Sequence, residues 1–422
     1  MKAFLKKLAK DATGNVLVIS GAGSMALVGG AGLGVDTVQW YLWKRQLQQA
    51  VDSAALAGGQ AKSQGVGFQT QAQRELNRNA NTTLTTVRIV NPPQEGAFTG
   101  DNGAVEVVAT TSQRLPFSSL LIDVAPTLRA RAVATSVSDG EHCVISLAPS
   151  GIGVSTQGNA DVQLGCGVAA NSDGYSAIDL DGTSYLKGSP LSAVGGVQYS
   201  TTNIQNGTAI QSYGAVQKDP IAARGLTVPN SPNTCAENNF TVNPNTTVNY
   251  TFGHPVHKIA RFCNGLTVRG TLNLEPGVYI IDGGDFKVNS HAKITGEGVT
   301  FILTGNNPSS IATLDIQGGA ELDLRAPTKL EDADWYNILF FQDPTADFPD
   351  NKIAGDSDLE LEGVVYMPSG NISFNGSSGQ HADCLLLVSY RVTFSGDSSL
   401  DNNCPADYSE FDTSARIVRV VE

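Results

Sequence analysis

The chain has 422 residues, enough for two or three domains, with frequent glycine (45), sparse aromatics (7%) and only 16% charged residues; that balance favours short strands and turns over charged surface helices. The net charge is −13, yet residues 1–62 hold seven Lys or Arg against three Asp, so the remainder is more acidic still. Phosphate backbones repel such a surface, which excludes nucleic acid as a partner.

The chain starts with a basic tail over residues 1–14, carrying Lys2, Lys6, Lys7 and Lys10. The segment 15–60 follows as a transmembrane and stalk helix. Residues 16–35 are uncharged throughout, and as a helix they cover about 30 Å, the hydrocarbon thickness of a bilayer. Lipid contact is therefore expected through residues 16–35. The basic tail places the N-terminus in the cytoplasm by the positive-inside bias, so the chain crosses once and its bulk is exported. A cleaved signal peptide is the alternative; against it, the apolar run exceeds the ~7–15 residues of a signal core and contains no Ala-x-Ala site. Gly30 and Gly34 form a small-xxx-small pair that lets another helix approach closely.

Beyond Val35, Val38, Leu42, Val51, Ala54, Ala55 and Ala57 recur at helical spacing until Gly58 and Gly59, where the helix is expected to stop. This outer half serves either as a stalk for neighbouring subunits or as a helix packed on its own domain. Residues 61–140 read as a small α+β unit. A helix is expected over 68–80 and strands over 84–90, 104–110 and 127–137, with turn-forming stretches at 91–93 and 100–103.

The order of a basic tail, DATGNV, a Gly/Ala-rich span, Asp36 and then LQQAVDSAALAGG resembles the N-terminal region of TadG-like proteins of the bacterial tight-adherence (Flp) pilus assembly system. The strands VEVVATTSQRLPF and LRARAVATSV resemble the segment that follows in that family, so the likeness spans about residues 10–140. Two family features are missing: an Asp-x-Ser-x-Ser metal motif, and a Glu five residues after Gly14 for prepilin-peptidase processing. The resemblance implies a pseudopilin-like region and other Tad/Flp assembly proteins or pseudopilins as partners. The assembly residues expected on this basis are Gly30 and Gly34 for close helix approach, Leu47, Ala54 and Ala55 for helix-side packing, and Asp36 and Asp52 for polar registration.

All six cysteines lie in the exported part, where disulfides are permitted. Their grouping suggests Cys143–Cys166, Cys235–Cys263 and Cys384–Cys404, one of 15 possible connectivities. Buried free thiols are the alternative, and no close pair marks a zinc site.

Past Cys143 a phrase repeats: VSTQGNADV (154–162), IDLDGTSYL (178–186), LTVRGTLNL (266–274), FKVNSHAKI (286–294), LDIQGGAEL (314–322) and VTFSGDSSL (392–400), with looser copies near Gly355 and Gly376. Each alternates apolar and polar residues about a central Gly or Ser, as two strands joined by a tight bend do. Repeats of this size bury a core only by stacking. The fold expected for 141–422 is a periplasmic β-solenoid, a right-handed parallel β-helix, with an antiparallel sandwich as the alternative. Runs such as PGVYIIDGGDFKVNSHAKITGEGVTFILTG also resemble a β-helix-like C-terminal domain found in a TadG-related subset. Residues 230–262, rich in Asn and Pro, read as an inserted surface loop pinned by Cys235 and Cys263. The closing ARIVRVV reads as a strand on the solenoid edge.

Four constellations invite a catalytic or metal reading, each against a plainer one. Asp282 and Asp285 with Lys287 and Lys293 suit a lyase-like carboxylate cluster, or a polar outer face. Asp356, Asp358, Glu360 and Glu362 suit calcium, or a solvated strand face. His254 and His257 suit a metal, or a solvated loop. His142 beside Cys143 suits a thiol–imidazole pair, or a disulfide neighbour. The plainer reading is taken in every case, so no catalytic residue, metal or cofactor is expected. The class expected is mainly β, and the role that of a structural or assembly component in the bacterial inner membrane. The alternatives are a membrane-tethered polysaccharide lyase or hydrolase and a surface adhesin.

Overall fold

The computed structural model describes residues 15–120, 125–253, 258–355, 359–376, 381–382, 384–395, 398–400, 411 and 413–422. The basic tail, His254, His257, Asp356, Asp358 and Cys404 lie outside the described residues. The chain forms two compact units: one runs up to Val137 and includes Val418–Glu422, and the other is Ser138–Ile417.

In the first unit, helix α1 spans Asn15–Ser63 and α2 spans Phe68–Asn79. Strands β1 (Leu84–Val90), β2 (Ala104–Ser112) and the first half of β3 (Thr127–Ser146) form an antiparallel sheet with β2 in the centre. One face of this sheet carries Val105, Val107, Ala109, Ala130, Ala132 and Ala134, and they pack with Leu47, Ala50, Val51, Ala54 and Ala55 of α1 and with Ala72 and Leu76 of α2. On the other face Glu106 is fully buried and accepts from Arg131 Nε (2.8 Å), Arg88 Nη2 (3.2 Å) and the Gln94 amide (2.7 Å). Two guanidiniums and an amide thus offset the cost of burying that carboxylate.

Helix α1 does not stop at Gly58 and Gly59. A Cβ on Gly58 would lie 3.0 Å from Val105 Cγ1, and one on Gly59 would lie 2.7 Å from Val418 Cγ1 and 3.3 Å from Ala134 Cβ. These glycines let the helix lie close on the sheet, and it continues through them to Ser63. Termination comes at Gly65 (φ +72°), where Val66 N–H bonds the Ala61 carbonyl and Gly65 N–H bonds that of Lys62, a Schellman arrangement. The closing strand, Ser414–Val420, also departs from expectation. Its end joins the first unit, with Val418 and Val420 on that core and Val421 and Glu422 bonded to the Val133 backbone.

The second unit is a β-solenoid of about ten turns. Its strands pair in parallel along three faces, which rules out the antiparallel sandwich. The repeated phrase is one corner of each coil. Lys287 and Lys293, for example, sit on the two strands that flank such a corner, Asp285–Val288 and Lys293–Glu297. The central glycine answers a backbone need: Gly182 has φ +69°, and a Cβ on Gly270 would meet the carbonyl oxygens of Asn243 and Thr246 at 2.3 and 2.4 Å. The third face contains the continuous apolar strands Gly277–Asp282, Val299–Thr304 and Ile338–Gln342. These lack alternation because both sides are buried, the inner against the solenoid core and the outer beneath Ile221, Leu226, Val228 and Trp335.

Among the described residues of 230–262, the expected inserted loop gives way from Glu237 onward to strands of the stack. Glu237–Val242 and Thr247–Tyr250 form a coil in parallel register with Ile259–Val268 and Thr271–Leu274. Phe240, Val242, Val248 and Tyr250 supply the alternating apolar residues that the Asn-rich text obscures.

The coils do not stack in chain order. Strand Cys384–Phe394 pairs with Val144, Ile145 and Ser146 at the end of β3 and with Val154–Thr156. The chain therefore enters the stack midway at His142 and proceeds to one end at Ile210–Gln211. It returns along the third face and begins again at Glu237 at the other end. The returning strap is held along its length: Asn171 exchanges two hydrogen bonds with the Gln217 backbone, Tyr366 OH donates to Asp219 (2.9 Å), and Arg224 donates to the Tyr336 carbonyl (2.9 Å). Arg261 then bonds the carbonyls of Pro229 and Pro232 while pairing with Asp282 at 2.6 Å.

Candidate functional site

The expected assembly residues separate into two groups along α1. Residues 18–31 are exposed throughout, and a Cβ on Gly30 or Gly34 would meet nothing within 4 Å. This half of the helix is apolar and open, and α1 contains a stretch long and apolar enough to cross a membrane. Leu47, Ala54 and Ala55 are instead buried in the first unit's own core, so their packing is intramolecular. Asp52 accepts from Gln48 Nε2 at 2.7 Å, and the same amide donates to the Arg131 carbonyl at 2.8 Å, which registers α1 against β3.

Asp36 stands where the two halves meet. It is buried although its helical neighbours are exposed, because the segment after β2 folds against it. Its carboxylate accepts from the Phe117 amide (3.0 Å) and from both the amide and the hydroxyl of Ser118. One turn earlier, Gly32 lies under the Phe117 ring, and a Cβ there would sit 3.0 Å from Phe117 Cγ and Cδ1. Gly32 and Asp36 share a helix face at i, i+4 spacing and together form a seat for this segment. The sequence singled out Asp36 but not Gly32 or Phe117, whose pairing is visible only in three dimensions.

The other constellations do not converge. Asp282 is taken by Arg261, Asp285 accepts from Thr313 Oγ1 (2.6 Å), Lys287 pairs with Asp315 (3.0 Å) and Lys293 with Glu321 (3.1 Å). Each is a tie to the neighbouring coil. Glu360 and Glu362 stand in register with Asp323 and Arg325, and no group of three metal-ligating side chains occurs among the described residues. Cys143 is bonded to Cys166 and Cys235 to Cys263, with Cα separations of 5.7 and 5.6 Å; Cys384 is also disulfide-bonded. His142 accordingly has no thiol partner. It lies buried with Nε2 3.1 Å from Ser192 Oγ, and burial lowers its pKa to about 4 against the raising effect of Gln217 and the Thr413 backbone.

Residues 14–61 match the family described as putative Flp pilus-assembly TadE/G-like. The match covers the open half of α1, Asp36 and the packed half. No curated protein and no solved structure shows significant similarity to the chain.

Proposed function

We propose that this protein is a membrane-anchored, non-enzymatic component of a tight-adherence pilus assembly system, acting through protein–protein contacts. The observation that carries this reading is the TadE/G-like segment, in which one helix leaves its N-terminal half open and commits its C-terminal half to the protein's own core. Residues 16–35 span the inner membrane, and the basic tail sets the N-terminus in the cytoplasm with both folded units in the periplasm. Gly30 and Gly34 receive a neighbouring pilin-like or platform helix inside the bilayer, where small residues permit close backbone approach. The solenoid, tied coil to coil by ion pairs and disulfides, presents a stable surface to the pilus or envelope.

A count of surface pili in three strains tests the proposal: the intact chain, a deletion, and a form in which a short linker joins residues 1–137 to 418–422 in place of the solenoid, so that the first unit keeps its closing strand. Loss of pili on deletion supports the role, and the truncated strain shows whether the solenoid takes part. Normal piliation in all three overturns it.

A further inference from the structure

We infer that the segment Leu115–Ser119 is a second membrane contact, a lipid-facing loop that lies in the bilayer interface beside the spanning helix. The inference rests on the reading of residues 16–35 as a membrane span.

Three observations place the loop there. Asp36 is the first charged residue after the uncharged run, and the exposed Trp40 and Tyr41 follow within two turns, the aromatic belt expected where a helix leaves the hydrocarbon. The bilayer surface therefore lies near Asp36. Phe117 packs on Gly32, four residues before Asp36, which is about 6 Å deeper along the helix axis. That depth falls within the ~5–10 Å reached by interfacial elements. Pro116 and Phe117 are nonetheless exposed, Phe117 by 42%, so an apolar surface is presented at the level of lipid rather than of water.

The hydrogen bonding fits the same location. A loop entering lipid must satisfy its backbone donors from within the protein. The amides of Phe117 and Ser118 and the Ser118 hydroxyl are taken by the Asp36 carboxylate, and the Ser119 amide by the Leu115 carbonyl. Asp36 is thus a positioning residue: it holds the loop at a depth where Phe117 meets acyl chains. Arg114, exposed at the start of the loop, stands at the level of lipid phosphates. The partner this surface fits is a phospholipid bilayer.

The test uses the full-length chain in phosphatidylethanolamine/phosphatidylglycerol vesicles carrying doxyl lipids labelled close to the headgroup. Trp40, Trp43 and Trp335 are changed to Phe, and a single tryptophan is placed by Phe117→Trp or, if that ring disturbs the Gly32 seat, by Pro116→Trp. A companion retains only Trp40, and a control carries Asn102→Trp at the far end of β2. The expected result is quenching at position 116 or 117 at least as strong as at Trp40, with none at 102, and its loss on Asp36→Ala while Trp40 stays quenched. Quenching at Trp40 with the loop position behaving like 102 overturns this inference alone. Absence of quenching at Trp40 overturns the membrane reading and this inference together.

Discussion

Ser155 donates a hydrogen bond to Thr393 at 3.2 Å across 238 residues of chain. The bond lies at the junction where coil 384–400 meets coil 142–164, continuing the ladder that pairs Phe394 with Thr156. A solenoid stacked in chain order has no such junction, and its last coil frays without consequence for its first. Here Phe394, fully buried and stacked on Phe374 at 5.3 Å, supports both. Phe394→Ala is expected to cost about 3–5 kcal/mol. It is also expected to raise hydrogen exchange in 144–146 and 154–156 as much as in 371–374. Exchange that rises only in the C-terminal coils would contradict the observed stacking.

The buried ionic cluster of the first unit yields a second expectation. Glu106 offsets both Arg88 and Arg131, and Arg131 in turn binds Glu422 at 2.6 Å. Glu106→Ala removes the buried carboxylate but leaves Arg88 with Glu95 and Arg131 with Glu422, so a loss of about 1–3 kcal/mol is expected. Replacing Glu422, whose side chain is more exposed, should cost less. Denaturant unfolding of the two variants checks the order; equal losses would show that Glu106 is not the centre of the cluster.

His142 gives the pH dependence a definite sign. Its folded pKa of about 4 lies below the ordinary 6.5, so between those values the unfolded chain binds the proton first. The stabilisation is complete above pH 6.5 and is lost as the pH falls toward 4, by about 3 kcal/mol in all. The His142→Gln variant should therefore show a shallower fall in stability over that window than the parent. Parallel curves would mean that His142 is protonated in the folded protein.

Much of this architecture is legible in sequence because its physics is local. The phrase around Gly182 or Gly270 encodes a corner, since only alternation plus a residue tolerant of left-handed or close-packed backbone produces one. The doubly buried third face shows as unbroken runs such as Val299–Thr304. Stacking order is not local: every parallel ladder accepts similar apolar partners, so nothing in the text of 384–400 names 142–164 as its neighbour. The Asn and Pro content of 230–262 outweighed the weaker alternation of Phe240, Val242, Val248 and Tyr250. At the candidate site Asp36 is legible through the family resemblance, as the Asp that follows the Gly/Ala-rich span, while its partners at Phe117 and Ser118 lie some 80 residues away and depend on how the sheet folds back.

The glycines of α1 carry the remaining expectation, since residues of one type on one helix have opposite tasks. Gly59 has Val418 2.7 Å from where a Cβ would be, so Gly59→Ala overpacks the first unit by about 1–3 kcal/mol. Gly30 and Gly34 face open space, so Gly30→Leu combined with Gly34→Leu should leave thermal unfolding of both folded units unchanged. A neighbouring helix would lose its close approach in that double variant, however, because association in lipid relies on backbone proximity rather than on hydrophobic burial. The double variant is expected to accumulate normally, fold normally and fail in piliation, whereas Gly59→Ala lowers stability in detergent without touching the open face of α1. Normal piliation by the Gly30/Gly34 double variant would remove that face from the assembly interface and direct attention to the solenoid.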